Sequence, residues 1–243
     1  MPSMITHIAT GSRGVADSAM DENNPLTTKT IVIVDDHELV GWSLASSLRG
    51  EGEDAHYTPA PAFQDVVDTL GRFEPGLLIL DLDLGRDRQG QRIDGVDLIP
   101  RLRNDGWRIL VLSGSSNPTR IGESLAAGGF VWVSKNAPFP VLLGAIRETV
   151  AGRSVLPAAR RQQLIDLYLN HEKERREVQE KLDRLTPRER EVLGLLAAGK
   201  RAQAIAEHFV VSLPTVRTQV RAVLGKLEVS SQLEAVALYR RAG

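Results

Sequence analysis

The segment 77-LLILDLD-83 is a short run of large apolar residues that ends at two carboxylates. The segment 31-IVIVDD-36 has the same pattern, and two further apolar runs, 108-RILVLS-113 and 130-FVWVSK-135, end at a serine and a lysine. Apolar runs of this length are typical of strands that are buried on both faces. Helical stretches separate them, so the sequence predicts β–α repeats and a parallel sheet.

The side chains at the ends of these runs should lie close together. A shorter strand near His56-Tyr57 completes the set, and we expect an α/β domain over residues 30–152 with a five-strand parallel sheet of the flavodoxin-like type. The carboxyl ends of parallel strands share one edge of the sheet, where ligands bind. The residues expected at that edge are Asp35, Asp36, Asp81, Ser113 and Lys135.

These five residues predict phosphoryl chemistry that depends on a metal. Three carboxylates packed together repel one another, and a hard divalent cation, Mg²⁺ or Mn²⁺, is the usual remedy. Asp81 can act as a carboxylate nucleophile that becomes an aspartyl-phosphate. Lys135 and the hydroxyl of Ser113 can bind phosphoryl oxygens. A single Asp at a strand end is more often structural, but the ordered set of five is hard to obtain by chance.

The motifs IVIVDDHE, LLILDLDLG, ILVLSGS and GGFVWVSK resemble those of the receiver domain of bacterial two-component response regulators. The resemblance covers residues 30–152. It implies that Asp81 is the phospho-acceptor and that Asp35 and Asp36 are metal carboxylates. Asp83, two residues after the acceptor, would lend its main-chain carbonyl to the metal.

The same resemblance implies a switch. Ser113 takes the position of the family's switch hydroxyl, Lys135 that of its lysine, and Trp132 that of its switch aromatic residue. An ordinary core role for Trp132 remains open, because aromatic residues in strands usually pack.

The sequence departs from the family pattern directly after the acceptor. Gly85 replaces the usual proline, and the next expected glycine, Gly95, comes fourteen residues after Asp81, which is later than usual. The additional residues, 86-RDRQGQRID-94, predict a charged, mobile loop beside the site. Leu-Asp-Leu-Asp-Leu-Gly also resembles the DxD motif of haloacid-dehalogenase-type phosphatases. Those enzymes place the acidic pair last, however, so the order of motifs here favours the receiver.

The net charge of the 243 residues is −1, but this balance hides two halves of opposite sign. Residues 30–150 contain 11 basic and 17 acidic residues, and residues 151–243 contain 17 basic and 11 acidic ones. A basic half predicts a polyanionic partner. The chain has no cysteine, which excludes disulfides, thiolate metal sites and cysteine nucleophiles.

Residues 1–29 are small and polar, and we expect a disordered leader without the features of a signal peptide. No segment approaches the ~18 uncharged apolar residues of a membrane span. We therefore expect a cytoplasmic protein without membrane contact.

Residues 153–184 are polar and predict a helical linker. Seven residues fall at the alternating spacing of a heptad repeat, namely Leu164, Tyr168, His171, Arg175, Val178, Leu182 and Leu185. Two of these seven are charged or titratable, so we expect a solvated linker helix rather than a stable coiled coil.

Residues 185–243 predict an all-α helix-turn-helix domain. Thr186-Pro187-Arg188-Glu189 is a capping box that opens an amphipathic helix. A second helix over 201–209 and a third from Ser212 to about residue 227 form the helix-turn-helix, and a last helix covers 232–241. The third helix would enter the major groove.

The segment 185-LTPREREVLGLLAAGK-200 and most of the residues after it resemble a LuxR-type DNA-binding domain of the NarL/FixJ-like kind. The resemblance implies that Arg217, Thr218 and Arg221 read bases and that Thr215 and Lys226 contact phosphates. Arg217 and Arg221 lie at i and i+4, so both point one way. From the helix alone, a merely solvated charged face remains open.

Together the two resemblances predict a two-component response regulator that acts as a DNA-binding transcriptional regulator. A cognate histidine kinase would phosphorylate Asp81, and a homodimer would bind operator DNA, with Leu233, Val236 and Tyr239 of the last helix supplying the dimer contact. The protein would be no enzyme beyond its own phosphorylation and dephosphorylation. The alternative is a regulator of the same type that a small ligand or a protein controls without phosphorylation.

Overall fold

The computed structural model describes residues 24–60 and 62–242, and the chain divides into two units. The first unit contains the chain up to Gly114 together with residues 127–157. The second contains residues 115–126 and the chain from Ala158 onward.

The first unit is built on a parallel sheet. The strands in chain order are β1 (Ile31–Val34), β2 (Ala55–Thr58), β3 (Leu77–Asp81), β4 (Asp83–Arg86), β5 (Arg92–Asp94), β6 (Arg108–Ser113) and β7 (Val131–Ser134). Five of them form one parallel sheet with the order β2-β1-β3-β6-β7. The predicted five-strand parallel sheet is confirmed.

Helices cover both faces of this sheet. They are α1 (Glu38–Gly50), α2 (Phe63–Leu70), α3 (Gly95–Asn104) and, after the α4 helix of the second unit (Pro118–Ala126), α5 (Phe139–Val150). One core lies under α1 and α5, and the other lies under α2 and α3. Residues of β1 alternate between these two cores and are at most 1% exposed, which explains why its sequence is apolar throughout.

The segment predicted as a mobile loop, residues 86–94, is part of a β-hairpin instead. β4 and β5 pair antiparallel, with Asp83 opposite Asp94. The Asp87 carboxylate closes the turn, because one of its oxygens accepts from the backbone N–H groups of Gln89 and Gln91 at 2.9 and 2.8 Å. Leu84 and Ile93 are buried in the core under α2 and α3, so the hairpin has apolar anchors.

The hairpin returns the chain to the point from which it left. The N–H of Gly95 donates to the carbonyl of Leu82 at 2.9 Å. A Cβ at Gly95 would overlap the carbonyl oxygen of Asp81. Glycine is therefore required where α3 begins, although this position comes fourteen residues after Asp81.

The predicted leader, residues 1–29, lies outside the described residues up to residue 23. In its described part, the N–H of Leu26 donates to the carbonyl of Val150 at 2.8 Å. The carbonyl of Asn24 accepts from Arg108 at 2.7 Å. The bonded structure of the first unit therefore begins before Thr30.

The second unit is all helical. Beside α4 it contains α6 (Ala158–Asp183), α7 (Pro187–Ala197), α8 (Ala202–Phe209), α9 (Leu213–Leu227) and α10 (Gln232–Ala242). The predicted capping box at α7 is confirmed. The Thr186 hydroxyl accepts from the backbone N–H of Glu189, and the Glu189 carboxylate accepts from the backbone N–H of Thr186. Ser212 caps α9 as predicted. Val210 turns the chain between α8 and α9 in the left-handed region, at φ 54°.

The linker helix α6 is packed at its ends and exposed in its middle. Leu164 and Leu182 are buried, whereas His171 and Arg175 are exposed. The first half of α6 packs against α4, and this contact assigns residues 115–126 to the second unit although the predicted domain 30–152 includes them. The predicted solvated helix therefore describes only the middle of α6.

We predict that Gly95→Ala destabilises the first unit by about 1–3 kcal/mol, the usual cost of overpacking, because the new methyl group meets the carbonyl of Asp81. Urea unfolding of the full chain measures this. The matched control is Gly144→Ala in α5, where nothing lies within 4 Å of the new Cβ. It should be neutral or stabilise the helix by up to about 1 kcal/mol. Equal effects of the two changes would contradict the steric argument.

Candidate functional site

The carboxyl ends of the central strands bring the predicted acidic residues together. Asp35 follows β1, and Asp81 is the last residue of β3, which lies beside β1. Lys135 follows β7, and its Nζ lies 2.5 Å from Asp35 Oδ2 and 2.8 Å from Asp81 Oδ2. Ser113 ends β6, and its carbonyl accepts from the backbone N–H of Lys135 at 2.9 Å. The strand ends thus join two carboxylates to one ammonium group.

Burial and hydrogen bonding shift the pKa of Asp81 and of Lys135. Asp35 and Asp81 are 1% and 4% exposed. Burial raises the pKa of Asp81, and the hydrogen bond from Lys135 opposes this only in part. For Lys135, burial lowers the pKa, but the hydrogen bonds to Asp35 and Asp81 outweigh it and raise the pKa above its ordinary value. Lys135 is therefore a cation that compensates buried negative charge.

The donor atoms around Asp36 suit a hard cation. One ligand atom each from Asp35, Asp36, His37 and Asp81 lies within 4.8 Å of the others. Asp35 is held in place because one of its carboxylate oxygens accepts from the backbone N–H of His37 at 2.9 Å. Carboxylate oxygens are the ligands that Mg²⁺ and Ca²⁺ prefer.

Two residues of this neighbourhood were not singled out from the sequence. His37 Nδ1 lies 2.6 Å from Asp36 Oδ1. The hydroxyl of Tyr57 donates to the carbonyl of Asp35 at 3.1 Å. The position of His37 directly after the two aspartates could have indicated the first contact, whereas the second depends on the pairing of β2 with β1.

The β4–β5 hairpin lies against the acidic cluster. Gly85 has a φ of 73°, and a Cβ at this position would be 3.0 Å from Asp36 Oδ2. Asp83 begins β4, and its exposed side chain lies 3.6 Å from Arg92 of β5. A hydrogen bond from the Asp83 backbone to the Asp81 carboxylate lowers the pKa of Asp81, against the larger effect of burial.

Trp132 of β7 packs against the core under α2 and α3. Its indole N–H is buried and has no hydrogen-bond partner among the described residues. A buried donor without a partner carries a desolvation cost. This position agrees with core packing and leaves the switch role a prediction.

The recognition helix α9 exposes two arginines. Arg217 and Arg221 are exposed, and within the described part of the chain neither guanidinium group forms a hydrogen bond or an ion pair. Two other predicted contacts are engaged locally, since Thr215 Oγ1 lies 2.7 Å from Ser212 Oγ and Thr218 Oγ1 donates to the carbonyl of Pro214. The two arginines are the side chains of this set that are most available to a partner.

Lys226, predicted to contact a phosphate, has an intramolecular partner. Its Nζ donates to Glu189 Oε2 at 2.6 Å, and the same oxygen accepts from the Thr186 N–H. Burial raises the pKa of Glu189, but the hydrogen bonds from Lys226 and Thr186 prevail and lower it. Lys226 therefore joins α9 to the start of α7.

The predicted dimer residues of α10 differ in exposure. Leu233 is 80% exposed, whereas Val236 and Tyr239 are half-buried. Tyr239 packs against the core that contains Leu227 and Ala235. Of the three, only Leu233 presents most of its side chain to solvent.

Across residues 24–60 and 62–242, the length and hydropathy of the helices are insufficient for any of them to span a bilayer.

Comparison with known proteins relates both halves of the chain to known families. The family model of the response regulator receiver domain matches residues 31–147. The model of the bacterial regulatory proteins of the luxR family matches residues 183–239. Together the two matches cover well over half of the chain.

Relatives match this chain over nearly their whole length. The transcriptional regulatory protein DesR of Bacillus subtilis is 27% identical over 214 residues, which cover 88% of this chain and 98% of DesR. The response regulator protein VraR of Staphylococcus aureus is 27% identical over 211 residues, which cover 86% of this chain and 95% of VraR. The solved structure of the Salmonella typhimurium RcsB response regulator is 24% identical, covers 90% of this chain and 98% of that chain, and has a TM-score of 0.46.

We predict that Lys135→Ala destabilises the first unit by about 3 kcal/mol, because it leaves two buried carboxylates uncompensated. Adding Asp81→Asn in the same chain should restore part of this loss, since one of the two charges is then absent. Urea unfolding measures both changes. Arg101→Ala, which breaks an exposed pair with Asp105, should cost less than about 1 kcal/mol. An additive double mutant would contradict the charge argument.

Proposed function

We propose that Asp81 is the phospho-acceptor of this chain, which belongs to the response regulators that combine a receiver domain with a LuxR-type DNA-binding domain. The protein is a two-component transcriptional regulator. The observation that carries the assignment is the contact of Lys135 with Asp81, a buried carboxylate at the centre of the acidic edge.

In the proposed reaction a histidine kinase supplies the phosphoryl group. A carboxylate oxygen of Asp81 attacks the phosphorus of the kinase phosphohistidine, and a phosphorus–oxygen bond forms while the phosphorus–nitrogen bond breaks. The electron pair of the broken bond stays on the imidazole nitrogen, which takes up a proton from water. Hydrolysis of the acyl phosphate later returns the carboxylate and inorganic phosphate. These self-directed steps are the extent of the catalysis that we assign to this chain.

The residues of the acidic edge fit a bound Mg²⁺, with Mn²⁺ as a substitute. The carboxylates of Asp35, Asp36 and Asp81 and the main-chain carbonyl of Asp83 would hold the ion. When bound, the ion offsets negative charge on the phosphoryl group. His37 supports this arrangement because it contacts Asp36 and orients Asp35.

Lys135 and Ser113 would bind the phosphoryl group after transfer. Phosphorylation replaces the single charge of Asp81 by about two charges, so Lys135 gains a stronger partner at the position it already contacts. The hydroxyl of Ser113 would donate to another phosphoryl oxygen, and Trp132 would follow it as the switch aromatic residue. The indole N–H of Trp132 supports a position that can change, because it is buried without a hydrogen-bond partner in the described part of the chain.

The output of the switch is DNA binding by α9. Arg217, Thr218 and Arg221 would contact bases, and the exposure of the two arginines supports this. Thr215 and Lys226 would contact phosphates. Lys226 would then bind a phosphate with the same ammonium group that donates to Glu189.

We propose that a homodimer binds the operator, with Leu233 at the centre of the contact between α10 helices and Val236 and Tyr239 beside it. The 80% exposure of Leu233 supports this choice. A transcriptional regulator of this kind works in the cytoplasm, where the bacterial chromosome is. For the receiver we propose the limits 30–152, which include α4 although this helix packs against α6, and for the DNA-binding domain the limits 185–243.

We predict that Asp81→Asn abolishes labelling by acetyl phosphate in the presence of Mg²⁺, because the amide is a poor nucleophile. Phosphate-affinity electrophoresis and intact-protein mass spectrometry measure the label. Asp83→Asn should still be labelled, since its main-chain carbonyl is unchanged. Loss of labelling in Asp83→Asn would assign a chemical role to that side chain instead, and wild-type labelling of Asp81→Asn would remove Asp81 as the acceptor.

We also predict that Arg221→Ala weakens binding to an operator duplex by about 1–3 kcal/mol, the range for a base contact. The duplex is first selected from a random library with acetyl-phosphate-treated wild-type protein. Fluorescence anisotropy at fixed salt measures the affinity. Arg176→Ala, an exposed arginine on α6, removes the same charge away from α9 and should change it much less. Equal losses would indicate a general charge effect rather than a base contact.

A further inference from the structure

The linker helix α6 covers one face of α4, the helix that follows the switch residue Ser113. Only residues 114–117 separate Ser113 from α4. Four residues of α4 are buried, namely Ile121, Gly122, Ser124 and Leu125. On α6, Leu164 is 5% exposed. The contact between α4 and α6 is extensive, and both helices belong to the second unit.

Gly122 makes this contact unusually close. A Cβ at residue 122 would overlap the backbone carbonyl oxygen of Leu164 and would lie 3.0 Å from Cβ of Tyr168. The two helices therefore meet backbone to backbone at this point. Because a carbonyl group in a helix cannot rotate away as a flexible side chain can, any residue larger than glycine must push the helices apart.

A polar contact closes the end of the same interface. The guanidinium of Arg161 donates to the carbonyl of Leu125 at 3.2 Å. Leu125 lies in the last turn of α4, where helix carbonyls have no partner within the helix. α6 therefore satisfies an acceptor of α4 as well as covering its apolar face.

The other end of α6 is bound to the end of the recognition helix. Glu228 is the C-cap residue of α9, and its carboxylate lies 3.0 Å from Lys181 and 2.9 Å from Arg184. Leu182 is buried in one core with Val223 and other residues of α9 and α10. With 26 residues, α6 is about 39 Å long at 1.5 Å per residue. One continuous helix, α6, thus contacts α4 through its N-terminal half and α9 through its C-terminal end.

We propose that the contact of α4 with α6, centred on Gly122, is a latch that holds the chain in its weak DNA-binding state and opens when Asp81 is phosphorylated. This inference rests on the proposed function. Movement of Ser113 toward a phosphoryl group would displace the start of α4. Because α4 and α6 meet backbone to backbone at Gly122, their contact cannot adjust to this displacement and the two helices would separate. Packed interfaces of this kind exchange between discrete arrangements rather than deform continuously. Release of Leu164 and Arg161 frees α6, and with it the end of α9.

The test is Gly122→Ala in the full-length chain without a phospho-donor. The methyl group separates the helices, so the variant should bind the selected operator duplex about tenfold more tightly than unphosphorylated wild type, a typical allosteric coupling. Acetyl phosphate should then add little further affinity. Hydrogen–deuterium exchange should be faster over residues 118–126 and 158–168 in the untreated variant, as it should be in the phosphorylated wild type.

Gly144→Ala is the matched control, because it adds the same methyl group to a helix where nothing lies within 4 Å. It should leave both readouts as in wild type. Arg161→Gln is the second variant; it keeps a helix-forming side chain, loses the guanidinium, and should shift affinity and exchange in the same direction by a smaller factor. If Gly122→Ala is insoluble, or if circular dichroism shows that its fold is altered, Arg161→Gln decides alone.

The latch is overturned if the variant that decides keeps wild-type exchange and wild-type DNA affinity without a donor, or keeps the full response to acetyl phosphate. The proposed function fails by a different result, namely no labelling of wild type at Asp81 and no effect of the donor on its DNA binding. Exchange over residues 118–126 and 158–168 in the untreated variant reports on the latch in either case.

Discussion

One ammonium group, that of Lys135, compensates the two buried carboxylates of the first unit. Nζ of Lys135 lies between the carboxylates of Asp35 and Asp81, which are almost completely buried. Without a cation there, two buried carboxylates would lie close together without a compensating charge. The three residues stand at the ends of three different strands, so their contact requires correct pairing of β1 with β3, of β3 with β6 and of β6 with β7. The ion pairs of Lys135 therefore form only when the strands pair in this order.

The sequence predicts the sheet well because its central strands are buried on both faces. Such strands must be apolar at every position, which makes them visible as uninterrupted runs. The hairpin of β4 and β5 lacks that signal. Its buried residues, Leu84 and Ile93, are separated by a polar turn, and each strand is too short to show a period. A charged composition therefore suggested a mobile loop where two apolar anchors and the Asp87 turn form a hairpin.

The sequence predicts which strand-end residues meet at the acidic edge, but it does not predict the contact of Asp35 with Tyr57 or the intramolecular partner of Lys226. Strand polarity alone puts Asp81 and Lys135 at one edge. The contact of Lys226 with Glu189, in contrast, joins residues 37 positions apart on two helices, and no local pattern indicates it. The sequence likewise does not indicate that Gly122 is needed for the close contact of α4 with Leu164. The linker shows the same limit, since its heptad spacing is uniform while only its ends are packed.

The close approach of Gly95 to Asp81 has a consequence for how this chain can be lengthened. The backbone leaves the sheet at Leu82 and is bonded to the same residue again at Gly95, so the hairpin is closed at its base by one hydrogen bond of 2.9 Å. We therefore expect the strand that carries Asp81 and the helix α3 to keep their positions when the tip between Asp87 and Gln91 changes. We expect the tip to accept a grafted peptide or tag a few residues from the buried carboxylate of Asp81 without a change in the fold around it.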